Sequence, residues 1–164
     1  MAGIKYLQEL GENLQKIMKR LLANQNLMKY LYYTDKDPLN NPDLTDDEIR
    51  HNVYEKLVKI VPKLDENVDA KSMIALKVVR GDKNPENEEF KDFVIGIEIF
   101  VPLTQWIIKS DNLRPFLIMG EIQKSLEGKT INGLGKIEGG DFQLNFVTEE
   151  ISAHEMIFQI TAYD

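Results

Sequence analysis

The spacing of apolar residues changes along the chain and divides it into a helical part and a strand-rich part. Between residues 4 and 23, apolar residues recur every three or four positions with charged residues on the opposite side. This spacing predicts a long amphipathic helix. From Ser72 onwards, apolar residues recur at every second position, as they do in β-strands. We therefore predict an N-terminal helical part of about residues 1–62, followed by a sheet-and-helix part of about residues 72–164.

A second, shorter helix is predicted at residues 27–33, after the polar residues 24–26 interrupt the first helical period. Residues 34–43 follow it and are rich in Pro, Asn and Asp, which favour turns. The spaced aspartates of this segment invite comparison with a calcium-binding loop beginning at Asp35. The position of the required glycine is occupied by Asn40 and that of the terminal glutamate by Asp46, so we predict a loop without a bound metal.

A third helix is predicted to begin at Thr45. The Thr45 hydroxyl is suited to cap the backbone of the first turn while the Glu48 carboxylate reaches back to residue 45. The clustered acidic residues 46–48 also lie at the positive end of the helix dipole, which explains them without catalysis. The predicted helix extends to Lys59, because Pro62 prevents further helical hydrogen bonding.

Alternating patterns predict the strands. They cover residues 73–80, 90–101, 131–137, 141–148 and 154–162. In the second strand, Phe93, Ile95, Ile97, Ile99 and Val101 share one face. In residues 141–148, Phe142, Leu144 and Phe146 are expected to be aligned. The expected fold is α+β, with N-terminal helices followed by β-β-α-β-β and an antiparallel-rich sheet packed against helices, in a single domain of residues 1–164.

Composition limits the classes of function. The chain has 164 residues, a net charge of −7 and no cysteine, so disulfide scaffolds, zinc–thiolate sites and cysteine nucleophiles are excluded. Acidic residues are concentrated in residues 34–69 and 129–164, which argues against binding duplex DNA through a broad basic face. The first residues lack the layout of a signal peptide and no apolar run is long enough for a membrane span, so we expect assembly in the cytoplasm and no membrane partner.

No residue pattern indicates catalysis or a cofactor. His51 and His154 lie outside metal motifs, and we expect His51 at the surface. The local context of a serine nucleophile is missing at each of the four serines, which are Ser72, Ser110, Ser125 and Ser152. The glycines at 133, 135, 139 and 140 follow a helix and precede strands, so we expect them to provide unusual backbone angles in turns and a bulge. We predict no catalytic, cofactor-binding or metal-binding residue and no cofactor, and the protein is not expected to be an enzyme.

The segment 114–136 has clear start and stop signals for a helix that leads into a strand. Arg114 and Pro115 begin the helix, where the missing N–H of proline does little harm. Gly128 lies where a left-handed residue commonly ends a helix. Because no side chain here is chemically reactive, Arg114 and Lys136 are predicted to have interface or capping roles.

This segment resembles the tail-terminator and neck (head–tail joining) proteins of tailed bacteriophages. The resemblance rests on a residue pattern, a preceding strand with Trp106 at its end, and a closing hairpin. The pattern is Arg114-Pro115, Ile118, Glu121-Ile122, Leu126, Gly128-Lys129, Ile131 and Gly133-Leu134-Gly135-Lys136, extended upstream by residues 23–27. The long acidic loop before the third helix is not part of that family's pattern. The resemblance therefore does not identify which surface contacts a partner.

The resemblance implies a structural protein of the virion. Such a subunit would form a homo-oligomeric ring, commonly a hexamer, that caps the tail tube and joins it to the head connector. DNA would pass through the lumen without specific binding, and loops 34–46 and 81–90 are candidate contacts with partner rings. The alternatives left open are another virion completion or baseplate protein, a small cytoplasmic ligand-binding domain or enzyme, and a regulatory nucleic-acid binder.

Overall fold

The computed structural model describes residues 2–60, 71–83, 90–131 and 134–163. Within these residues the chain is α+β, with four α-helices and a five-stranded mixed sheet, so the predicted fold class is confirmed. The helices are α1 (Ala2–Leu22), α2 (Gln25–Tyr32), α3 (Asp46–Glu48) and α4 (Arg114–Leu126). The strands are β1 (Val58–Lys59), β2 (Met73–Lys83), β3 (Phe90–Pro102), β4 (Leu134–Val147) and β5 (Ile151–Tyr163).

The sheet has the order β1-β2-β3-β5-β4. The pairs β2–β3, β3–β5 and β5–β4 are antiparallel, and only the short β1 pairs in parallel with β2. The last strand in chain order therefore lies inside the sheet, whereas β4 forms one of its edges. The helix α4 connects β3 to β4 across one face.

One face of the sheet carries the main core. The alternating residues of β3 that were predicted to share a face, Phe93, Ile95, Ile97, Ile99 and Val101, are all fully buried in one apolar cluster with α1, α2 and α4. We call this the helix face. The opposite face carries a second, smaller cluster, formed by Met73, Ala75, Phe100 and Ala153. We call it the open face, because α1, α2 and α4 pack on the other one.

The third helix begins as predicted but is much shorter. Thr45 and Glu48 form the predicted capping box, and α3 continues as a π-helix, Ile49–Val53. The predicted extension to Lys59 is wrong, because Leu57 and Val58 are buried in the core and Val58 pairs with Ile74 of β2. Burial of these apolar side chains and the strand pairing outweigh continued helix formation. The helix-stopping role assigned to Pro62 lies outside the described residues.

In the second half, one detail differs from the sequence prediction and two agree with it. The predicted strands 131–137 and 141–148 form one long strand, β4, interrupted by register shifts. The glycines Gly139 and Gly140 have φ angles of 130° and 98° at one of these shifts, which confirms the expected bulge. The predicted end of α4 is also confirmed, because Gly128 has a φ of 71° directly after the helix cap at Glu127.

Candidate assembly surface

Arg114 is a buried cap and does not lie at a surface. Its side chain is fully buried, and the guanidinium donates four hydrogen bonds to backbone carbonyls. The acceptors are Gln105 O at 2.9 Å, Tyr30 O at 2.7 Å, Tyr33 O at 2.9 Å and Asp35 O at 2.6 Å. The predicted capping role is confirmed, although the capped helix is α2, whose C-terminal end attracts a cation. The alternative role as an interface residue is wrong, since no part of this side chain reaches solvent.

The electrostatic environment of Arg114 suits a structural role. Burial lowers the pKa of the guanidinium, and this effect is larger than the opposing one of Asp35 and Tyr30, which raise the pKa. The Asp35 carboxylate itself accepts hydrogen bonds from the backbone N–H of Asp37 and from the side chain of Asn41. Arg114 therefore fixes the start of loop 34–46 against the N-terminus of α4.

Lys136, the second residue with a predicted interface or capping role, is exposed on β4. Its ammonium lies 3.3 Å from a carboxylate oxygen of Glu138, and both side chains are more than 60% exposed. Exposed ion pairs of this kind contribute little to stability. The two residues therefore differ in role. Arg114 holds backbone segments together inside the protein, whereas Lys136 lies at the surface.

The second half of β4 is an exposed strand at the edge of the sheet. Every residue from 141 to 147 is exposed, and we call this segment the β4 edge. It includes Phe142, which is 57% exposed, and Leu144, which is 56% exposed. The chain after α4 covers only the beginning of β4, where Thr130 bridges to Lys136. No strand among the described residues pairs with the outer side of the β4 edge, and an exposed apolar edge strand favours pairing with another chain.

Aromatic rings connect the β4 edge to the interior on the helix face. The ring centroids of Phe142 and of Phe116 on α4 are 6.0 Å apart, and those of Phe116 and His154 are 5.8 Å apart. Trp106 lies 6.0 Å from His154 on its other side and donates a hydrogen bond to the hydroxyl of Ser152. We call Phe142, Phe116, His154 and Trp106 the aromatic strip. Partly exposed aromatic rings of this size are frequent at the centre of protein interfaces.

The predicted alignment of Phe146 with Phe142 and Leu144 is wrong. The register shifts between Leu144 and Phe146, so that Leu144 lies opposite His154 and Phe146 lies opposite Ala153. Phe146 therefore points to the open face, where its ring lies 6.5 Å from that of Phe100. The bulge gives the β4 edge an apolar side chain on each face of the sheet.

A charged cluster lies on the open face beside these apolar residues. The Lys77 ammonium is 2.5 Å from a carboxylate oxygen of Glu98 and 3.3 Å from one of Glu155. Hydrogen bonding to Glu98 raises the pKa of Lys77, and burial acts against it. A Cβ at Gly96 would lie 2.5 Å from the Glu155 carboxylate, so a larger residue there would displace this carboxylate. Asn145 of the β4 edge also donates to Glu155, so the cluster fixes the edge to the sheet.

The described histidines and serines are not brought together into a reactive site. His51 is exposed, as expected, whereas His154 is buried in the aromatic strip. Ser125 and Ser152 are buried and bond to Glu121 O and Trp106 Nε1 respectively. In the part of the chain that the structure describes, no group of three or more potential metal ligands is found. No described helix is both long and apolar enough to cross a membrane.

His154 makes the stability of the protein depend on pH. Burial lowers the pKa of its imidazole, and the Nδ1 atom has no hydrogen-bond partner among the described residues. The unfolded state therefore takes up a proton at higher pH than the folded state, so stability is lost as pH falls through the ordinary pKa of about 6.5. We expect urea unfolding midpoints to fall between about pH 7.5 and about pH 5.5, and His154→Phe to show a smaller fall. The matched control is His51→Gln at the exposed histidine, and an unchanged fall in His154→Phe would contradict the assignment.

The two predicted contact loops are only partly described. Loop 34–46 is ordered around Arg114 and contains the exposed Leu39. Most of loop 81–90 lies outside the described residues, as do Gly133 and the acidic pair 88–89. A shallow cavity of about 320 Å³ lies between the end of α1 and the segment that begins with α3. It is lined by Lys19, Leu22, Ala23, Asp46, Ile49, Arg50 and Tyr54. Apolar atoms provide most of its lining, and we assign no chemistry to it.

The comparison with known families identifies the family of this chain. The model of the YomW family matches residues 24–160, which is most of the chain, so the chain belongs to the YomW family. No curated protein matches it. The matched region begins at the N-cap of α2 and includes Arg114, the aromatic strip and the β4 edge.

Proposed function

We propose that this member of the YomW family is a structural subunit of a tailed-phage virion. In this proposal it forms a homo-oligomeric ring, a tail terminator or neck protein that caps the tail tube and joins it to the head connector. The protein would be assembled in the host cytoplasm and act in the virion. It would act through its interfaces and would catalyse no reaction.

The observation that carries the assembly role is the β4 edge. A strand with free backbone groups and exposed Phe142, Leu144 and Phe146 is a liability in a monomer, because it can pair with other chains. Proteins normally protect such edges with charges, prolines or short strands. Here residues 142–147 contain neither charge nor proline, as expected for an edge that is covered in the assembled state.

The assignment to the tail terminator or neck rests on the residue pattern of segment 114–136. The acidic balance of the chain supports a ring that lets DNA pass, since a negative surface repels phosphate groups. Another virion component with the same assembly surface is the alternative. Negative-stain microscopy of the purified protein and of virions separates the two, because only a terminator or neck protein would be found at the head–tail junction.

The assembly role predicts a defect in oligomer formation when the β4 edge is made polar. The double variant Phe142→Asp/Leu144→Asp should remain monomeric at concentrations where the wild type assembles, because each lost anchor typically weakens an interface by about 2 kcal/mol or more. Size-exclusion chromatography with light scattering measures this. Leu39→Asp is the matched control, since it removes an exposed apolar side chain (41% exposed) outside the sheet. A wild type that stays monomeric at all concentrations and forms no annular particles would contradict the proposal.

A further inference from the structure

His154 is a buried base enclosed by the aromatic strip. Its side chain is 4% exposed, and its Nδ1 atom has no hydrogen-bond partner among the described residues. The rings of Trp106 and Phe116 flank the imidazole at centroid distances of 6.0 Å and 5.8 Å. Leu144 lies directly opposite it on β4. Apolar side chains therefore keep a titratable group away from water.

The two flanking rings differ in how firmly they are held. Trp106 is fixed on its side, because its indole N–H donates a hydrogen bond of 2.9 Å to the hydroxyl of Ser152. Phe116 is 43% exposed, and its other ring contact is with Phe142, which is itself exposed. Phe116 and Phe142 can therefore move away from His154 without breaking a side-chain hydrogen bond, whereas Trp106 cannot.

Protonation of His154 would place a buried charge in this enclosure. In a neutral imidazole one nitrogen carries no hydrogen, and an Nδ1 without a partner is best accommodated as that nitrogen. In the imidazolium both nitrogens are donors, so the Nδ1–H group would be a buried, charged donor without an acceptor. Attraction between the cation and the flanking rings offsets only part of this cost. The charged form is therefore favoured only once water reaches Nδ1.

Among the described residues, no charged side chain of the surrounding elements pairs with His154. On α4, Arg114 is bonded to backbone carbonyls. On β3 and β5, Glu98 and Glu155 belong to the Lys77 cluster on the open face. The other charged residues of these elements and of the adjoining turns are ion-paired, hydrogen-bonded or exposed, and they are Asp92, Lys109, Asp111, Glu121, Lys124, Lys136, Glu138, Asp141, Glu149 and Glu150. Burial is accordingly the cause that lowers the pKa of His154.

We infer that His154 is a pH-sensitive latch of the aromatic strip. The neutral imidazole keeps the strip closed, and its protonation moves Phe116 and Phe142 away from it and admits water, while the sheet stays folded. Phe142 is also an anchor of the proposed assembly surface. Acid should therefore weaken the oligomer, a consequence that rests on the proposed function. The latch itself is a property of the single chain and can be tested on a monomer.

The single tryptophan of the chain reports on the latch, because Trp106 lies beside His154. Tryptophan emission and far-ultraviolet circular dichroism are recorded while the pH is lowered from about 7.5 to about 5, and light scattering follows the oligomer. We expect the emission to fall and to shift to longer wavelength as water reaches the indole. The midpoint should lie below about pH 6.5, because the closed enclosure disfavours the charged imidazole. Circular dichroism should stay unchanged through this transition.

Four variants separate the latch from other effects of acid. His154→Phe should abolish the emission change, and His51→Gln, at the exposed histidine, should retain it. Phe116→Leu weakens the cover of the imidazole, so it should move the midpoint upwards, towards about pH 6.5. Phe146→Leu is its matched control and should leave the midpoint unchanged, because Phe146 is 40% exposed but lies on the open face.

An emission change that is absent from the wild type, that persists in His154→Phe, or that coincides with loss of the circular dichroism signal would overturn the latch. If His154→Phe does not fold, equal midpoints of Phe116→Leu and Phe146→Leu would overturn it as well. Emission that titrates as expected in a protein that is monomeric at every pH would support the latch and contradict the proposed function. An oligomer that persists unchanged while the emission titrates would overturn the link between the latch and assembly.

Discussion

Replacement of Arg114 by methionine is expected to lower the free energy of unfolding by about 3–5 kcal/mol. This is the range found when one partner of a buried ion pair is removed. The substitution leaves carbonyl oxygens of Tyr30, Tyr33, Asp35 and Gln105 without their donor. Each buried carbonyl that loses its partner must be desolvated without compensation. Urea denaturation followed by circular dichroism measures the change.

Two further variants separate charge from geometry at this site. Arg114→Lys retains the positive charge but lacks the planar arrangement of five donors, so it should recover only part of the lost stability. Lys136→Met is the matched control, because it removes an exposed cation of the same helix–turn–strand segment and should change stability by less than about 0.5 kcal/mol. Equal stability of Arg114→Met and Lys136→Met would show that the four carbonyl contacts contribute nothing.

Replacement of Gly139 by alanine is expected to destabilise the protein by about 2–4 kcal/mol, since backbone strain and a steric clash act together. Gly139 has a φ of 130°, which an L-residue with a side chain rarely adopts. A Cβ there would also lie 2.5 Å from Ile157 O and 3.0 Å from Phe158 Cα, both backbone atoms of the neighbouring strand β5. Backbone atoms inside a sheet cannot move aside as a flexible side chain can.

Thermal unfolding of Gly139→Ala beside Gly120→Ala tests this expectation. Gly120 lies within α4, and a Cβ there would meet no atom within 4 Å. The control should be neutral or stabilised by up to about 1 kcal/mol, because alanine favours helix more than glycine does. A Gly139→Ala variant with a melting temperature equal to that of the wild type would contradict the inferred bulge geometry.

The features predicted correctly from the sequence are those determined by neighbours along the chain. The capping box of Thr45 and Glu48 depends on residues three positions apart, and the left-handed Gly128 depends on the end of one helix. The shared face of β3 follows from strict alternation. These local signals require no knowledge of distant contacts, which explains their success.

The features that were predicted wrongly depend on partners distant in sequence. The third helix ends early because Val58 finds Ile74 on another strand. Phe146 changes face because of a register shift relative to β5, which alternation within residues 141–148 does not reveal. The candidate surface itself depends on the order of strands in the sheet, and that order cannot be read from the periodicity of β4. The four acceptors of Arg114 come from segments far apart in the sequence, so no local pattern identified it as buried.

The central position of β5 has a consequence for the order in which the molecule is built. The strand β5 follows every other strand in the chain, yet it pairs with both β3 and β4. Until residues 151–163 have been synthesised, β3 and β4 cannot be joined in this sheet, and each of them has one additional free edge. Partly folded chains with unpaired strands are prone to associate wrongly. The outer edges of the sheet therefore take their final positions only after β5 has inserted between β3 and β4, and assembly through them belongs to the completed fold.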